Sequence, residues 1–274
     1  MTPTGGVRTT ARLDLSPLVW LTNAAILAVL VAAPLAILVH ASLTTPEGLS
    51  LANFVAAFSR SIYRGPMLNS FVYATTVGLL SVLIGAPMAW LVARTDLPAK
   101  GLIRTVTVAA FVTPSFLGAT AWVILAGPNA GLLNVLYRSL TGAETALVNV
   151  FSMPGLIFVT TLYMFPTVFI LTGAALMATP SDLEEAAQIA GAGQWSVVRD
   201  VTLPLARPAV LAGFILAFLE TLVLFGAPAM LALPGRFHVM TTQLWAFFQY
   251  PPRVEVAAAY AMPLLLTAAG LLWL

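Results

Sequence analysis

Six runs of apolar sequence, residues 18–39, 67–92, 103–126, 151–178, 209–233 and 256–274, set the terms on which this chain can fold. Each is close to or beyond the roughly 20 residues a helix needs to cross hydrocarbon, and only Arg104 and Glu220 interrupt them with charge. No water reaches that depth, so an open chain can satisfy its own N–H and C=O groups there only as helix. The expectation is an all-α, polytopic membrane protein: a polar cytoplasmic segment over 1–17, then one six-span domain over 18–274. Charged residues make up 8% of the chain, against about 25% in soluble domains, which is too few to coat a water-soluble globule. The first run is longer than the 7 to 15 residues of a signal-peptide core, so it reads as a retained span.

Every run contains a proline: Pro34, Pro87, Pro114, Pro166, Pro228 and Pro263. Neighbouring helices and hydroxyls can re-satisfy the carbonyl that proline leaves free, so kinks are expected rather than breaks. With the N-terminus cytoplasmic, Arg8, Arg12, Arg94, Lys100, Arg104, Arg199 and Arg207 fall inside, and Arg60, Arg64, Arg138, Arg236 and Arg253 outside. That is the sense in which cations bias insertion.

Composition also excludes several functions. A net charge of +2 spread over separate loops gives no basic stripe for nucleic acid. No cysteine and only His40 and His238 leave no disulfide framework and no thiolate or histidine metal cluster. The single lysine, Lys100, lies between Ala99 and Gly101, so the Gly-Lys-Ser/Thr of a phosphate-binding loop is absent. The chain is expected to be no enzyme and to bind no cofactor of its own.

The polar interruption over 179–208 is built like structure. Ser181 followed by Glu184 has the spacing of a capping box, and Asp182, Glu184 and Glu185 put negative charge on the first turn of the helix it would start. Gly191 is placed to end that helix in the left-handed conformation. A second short helix fits 194–201, with Pro204 to stop it. Two short helices meeting at a glycine make a surface knob that a second protein could grip, or an amphipathic loop lying on the membrane.

Glu185-Ala186-Ala187, then Gly191, then Val201-Thr202-Leu203-Pro204 resembles the EAA loop of bacterial ATP-binding-cassette importer permeases. Asn69-Ser70 followed by Gly85, Ala89 and Arg94 is similar to a span of the same family. The resemblance implies a type I importer permease fold in the bacterial inner membrane, with Glu185, Ala186, Ala187, Gly191, Val201, Leu203 and Pro204 coupling the spans to a cytoplasmic ATPase dimer. Glu185 and Gly191 would carry most of that role. It implies further partners: a periplasmic substrate-binding protein, a second permease half, whether fused, homologous or identical, and the lipid bilayer. ATP and Mg²⁺ would be used by the ATPase. Residues 225–245 resemble the ferric iron and polyamine branch, which nominates ferric iron as solute and spermidine or putrescine next. Members of that branch often fuse two halves, so the chain is expected to be either an N-terminal half or one copy of a dimer.

Glu220 lies mid-span, where an acid is costly against lipid and should face a cavity, a partner helix or a solute route. Cation passage is one reading and a glutamate that holds helices together is the other. Asn69, Tyr163 and Thr167 are the companions it would have along a route, with Thr160, Thr161 and Gln243 as further polar side chains; hydroxyls at such depth also serve as helix–helix glue. His238, on the outer side, has no second ligand at metal spacing. The rival architecture is a secondary transporter in which Glu220 binds a proton or cation and no ATPase is needed.

Overall fold

The computed structural model describes residues 16–273. Most of the expected cytoplasmic segment 1–17, with Arg8 and Arg12, lies outside the described residues. Helices and turns follow in the order α1 (Ser16–Leu43), a small hairpin β1 (Thr44–Thr45) and β2 (Gly48–Leu49), α2 (Ala52–Ser59) and α3 (Ser61–Arg94). Then come α4 (Lys100–Val112), α5 (Ser115–Ala126), α6 (Leu132–Thr141), α7 (Met153–Ala178), α8 (Asp182–Ile189), α9 (Gln194–Val223), α10 (Gly226–Leu231), α11 (Met240–Phe247) and α12 (Val254–Leu272). Five of these are long and apolar enough to cross a membrane, and α4 with α5 makes a sixth crossing if the bent pair is counted as one.

The centre is a three-helix packing of α3, α7 and α9, and small residues let the backbones meet. A side chain at Gly85 would lie 2.7 Å from the Phe165 carbonyl oxygen, and one at Gly213 would lie 3.1 Å from Val168 Cα. Around these contacts Tyr73, Val77, Leu156, Val159, Val168 and Ala217 are buried. The Tyr73 hydroxyl and Thr160 Oγ1 share a 2.7 Å hydrogen bond between α3 and α7, which satisfies two polar groups that would otherwise be stranded in the core. A second core, at the end of the bundle away from Arg94, joins Tyr63, Phe247 and Tyr260. By contrast, no residue over Ser16–Leu27 is buried.

Two of the six runs fold differently from the expectation. Residues 103–126 do not form a straight crossing, because the chain turns by 101° between α4 and α5. Thr113, before Pro114, is extended (φ −71°, ψ 122°), the conformation a following proline imposes. The new direction is held by tertiary contact: Phe116 packs against Gly226, and Gly118 lies beneath the Tyr163 ring. Residues 209–233 are likewise divided, with the crossing ending at Val223 and Pro228 belonging to the separate short helix α10. Pro87, Pro166 and Pro263 do stay inside helices. Pro34 follows a π-turn at Ala28–Ala32 and α1 continues through it.

Candidate coupling site

The knob between α7 and α9 forms, but its N-terminus is wired differently from a capping box. Ser181 has helical dihedrals (φ −72°, ψ −12°) and caps no amide. Its hydroxyl donates instead to Glu185 Oε1 at 2.9 Å. Glu184 turns inward, with both its oxygens 3.1 Å from Arg94 Nε at the end of α3. It also accepts a 2.8 Å hydrogen bond from Thr202 Oγ1 of α9, and Arg94 Nη2 donates to the Thr179 carbonyl at 2.9 Å. A charge-assisted bond to a guanidinium is stronger than a return bond to a backbone amide, which explains why the local cap is forgone. One carboxylate thereby ties α8 to both α3 and α9.

The other end of α8 follows the sequence. Gly191 sits at φ +92°, its N–H donating to the Gln188 carbonyl at 2.9 Å while Ala192 N–H donates to Ala187 at 3.0 Å. These two bonds make a Schellman motif. Nothing lies within 4 Å of where a Cβ on Gly191 would be, so the demand for glycine is conformational and not steric.

Beyond it, the expected helix over 194–201 is not stopped by Pro204. The helix continues as α9 through a π-turn at Val198–Thr202, closed by Leu203 N–H to the Val198 carbonyl. Pro204 then sits in the first turn of the resumed α-helix, where a missing N–H costs least. The second half of the loop, from Gln194 on, is therefore continuous with the span, whereas α8 is joined to it through the turn at 190–193.

Of the residues singled out in this loop, Glu185, Ala186, Gly191, Leu203 and Pro204 are exposed, while Ala187 and Val201 are partly buried. Beside them Leu183, Ile189 and Trp195 are strongly exposed, Ile189 at 89%, a concentration of bare apolar side chains suited to a protein partner. Arg94 and Thr202, present in the sequence reading as letters of the two likenesses, prove to be the partners of Glu184. No signal of spacing links them to Glu184.

The pathway candidates separate into two places. Thr167 of α7 and Glu220 of α9 meet, Thr167 Oγ1 donating to Glu220 Oε2 at 3.5 Å. Thr167 is buried, whereas Glu220 stands on an exposed face of the chain. Tyr163 lies one turn before Thr167, its ring over Gly118. Asn69 is elsewhere: its amide donates to the His238 carbonyl at 2.9 Å, and Ser70 Oγ accepts from Met240 N–H at 2.7 Å. These adjacent residues of α3 pin the segment between α10 and α11, and Thr241 Oγ1 ties the same segment to the Leu224 carbonyl at 2.8 Å. Among the described residues no cluster of three His, Cys, Asp or Glu could hold a metal ion.

Residues 81–274 match the family described as binding-protein-dependent transport system inner membrane component. The chain belongs to this family. It is a multi-pass inner-membrane permease of an importer, a transport subunit. A putative 2-aminoethylphosphonate transport system permease protein, PhnU, of Salmonella typhimurium is 32% identical over 217 residues, 78% of this chain and 76% of that protein. The molybdenum transport system permease protein ModB of Escherichia coli is 27% identical over 69% of this chain and 83% of its own length. A probable molybdenum ABC transporter permease of Haloferax volcanii is 31% identical over 66% of this chain and 62% of its own length. In fold, the permease superimposes on a chain of a bacterial ABC transporter involved in import of the acidic polysaccharide alginate, with a TM-score of 0.76 over 94% of this chain and 93% of that one at 18% identity. A chain of the MetNI methionine ABC transporter gives a TM-score of 0.57 over 77% and 91% at 18% identity.

Proposed function

We propose that this permease is one half of the membrane channel of an ATP-driven importer, in which α8 and the first turns of α9 seat in a cytoplasmic ATPase dimer. The observation that carries the reading is the Glu184 clamp. It fixes a short helix with no buried residue to two spans, while Glu185, Ile189 and Trp195 are left facing outward. An eight-residue helix is unstable alone, so its rigid attachment makes sense if it must bear load. Closure of the ATPases around bound ATP and Mg²⁺ would push the knob, and the push would pass to α3 through Arg94 and to α9 through the continuous helix. Two arrangements of the spans, open to either side, would then exchange. A second permease half would cover the exposed face bearing Glu220, and a periplasmic binding protein would deliver the solute.

For the solute, the likeness of residues 225–245 favours ferric iron or a polyamine. The names of the relatives point away from ferric iron, to molybdenum, 2-aminoethylphosphonate or a sugar such as diacetylchitobiose. The deciding measurement is receptor-dependent uptake into proteoliposomes of labelled ferric iron, spermidine, molybdate and 2-aminoethylphosphonate in parallel. For the coupling role, Glu185→Lys and Gly191→Pro are each expected to abolish uptake and weaken ATPase association while the spans stay inserted. Unchanged uptake and association in both would remove the proposed role.

A further inference from the structure

A second feature lies at the same end of the bundle as the loop over 179–193. α3, α4 and α7 enclose an open groove of about 230 Å³ whose walls are almost wholly apolar, among them Ala89, Ala93, Phe169, Gly173 and Ala174. Arg104 of α4 lies at its rim. Its Nη2 points at the Met177 sulfur, 3.7 Å away, a weak acceptor, and among the described residues no carboxylate lies within ion-pair distance of it. Lys100, the first residue of the same helix, adds a second cation one turn nearer the loop. With α8 in the cytoplasm, as in the reading above, this places an unpaired guanidinium at inner-leaflet headgroup depth over an apolar slot. A helix of another protein filling the slot would bury Arg104 without an anion, which is costly.

We propose that the groove binds an anionic phospholipid, its phosphate on Arg104 and Lys100 and one acyl chain along Ala89, Ala93 and Gly173. Basic pockets between spans on the cytoplasmic side are suited to such headgroups. Small residues make the slot, and Gly173 gives the means to close it. A Cβ there would touch only Ala89 Cβ, at 3.9 Å, so a leucine fits the helix and its remaining atoms occupy the groove.

The test is native mass spectrometry of the intact transporter complex from nanodiscs of equal phosphatidylglycerol and phosphatidylethanolamine. The wild type should retain phosphatidylglycerol preferentially, and Arg104→Gln should lower that preference about fivefold, the effect of one interfacial cation. Arg104→Lys should preserve it, which controls for folding. Gly173→Leu should lose bound lipid of both kinds with Arg104 intact. Equal retention of the two lipids by the wild type, or unaltered retention in Arg104→Gln and Gly173→Leu, overturns the proposal, as does a crosslink from Ala174→Cys to another permease chain. The readout requires no transport, so it is independent of the solute.

Discussion

Replacing Arg94 by glutamine tests whether the knob is held to the bundle by one ion pair. The Arg94 and Glu184 side chains are only 14% and 13% exposed, so the pair is largely screened from water. Removing one member of a buried pair costs roughly 3–5 kcal/mol. Here Glu184 can swing toward the cytosol from an otherwise exposed helix, which reduces the loss to about 2–3 kcal/mol, still well above an exposed pair. At 1.4 kcal/mol per factor of ten, that is roughly a 30- to 150-fold rise in the undocked population of α8. Hydrogen exchange of the permease in nanodiscs without its ATPases reads this directly, since α8 alone buries no residue and its amide protection then depends on docking to the spans. Exchange over Asp182–Ile189 should accelerate by that factor, while α3 and α7 keep their protection. Uptake should fall with ATP turnover persisting, because the push no longer reaches α3. Glu184→Gln keeps the Thr202 bond and should fall between, and Arg94→Glu with Glu184→Arg should recover part of the loss. If both single variants exchange and transport like the wild type, the clamp has no mechanical role.

Gly191→Ala should cost about 1–2 kcal/mol from the left-handed backbone alone, since the space around it is open, and Gly191→Asn less; faster limited proteolysis of the loop over 179–193 checks the order. Gly85→Ala should destabilise the bundle far more than Gly78→Ala, because the intruding methyl meets Phe165 and Phe169 backbone in the first case and the Phe214 ring in the second; the thermal midpoint in detergent separates them, and equal midpoints would contradict the packing. Asn69→Ala combined with Ser70→Ala removes the bonds to His238 and Met240, each worth about 1 kcal/mol or more when a buried partner is left unmade. Exchange should rise at Met240 without any change in ATPase association. Glu220→Gln keeps the size and the hydrogen bond to Thr167, so bundle stability should hold while uptake drops if the charge serves the solute route; unchanged uptake would leave it a helix-packing residue.

The parts of the site that sequence alone made legible are those whose causes are local. Gly191 ends α8 because two backbone bonds and a positive φ are settled within six residues, and the apolar runs declare helices because hydrocarbon leaves no alternative. The partner of Glu184 was not legible. Ser181 and Glu184 have the right spacing to cap each other, and locally only Glu185 competes for the serine hydroxyl. In the folded chain Arg94 arrives from 90 positions away in sequence and offers the carboxylate a full charge. Asn69 was similarly opaque: a polar residue in an apolar run suggests a solute route, yet its amide holds the His238 carbonyl of a segment far along the chain.

Proline shows why pattern alone could not settle the path of the chain. Pro87 and Pro114 stand in runs of the same apolar character, but the first remains inside α3 and the second marks a 101° turn. The local penalty is the same at both, one lost hydrogen bond and a steric push on the preceding turn. What differs is the return on changing direction. Around Pro87 α3 lies against α7 over its length, with Gly85 in contact with the α7 backbone, and a bend would sacrifice that packing. After Pro114 the bend carries Phe116 onto Gly226 and Gly118 under Tyr163, contacts that no straight helix could reach. A run's hydrophobicity therefore says that the segment enters the membrane, and only the neighbours it meets there decide whether it goes straight through.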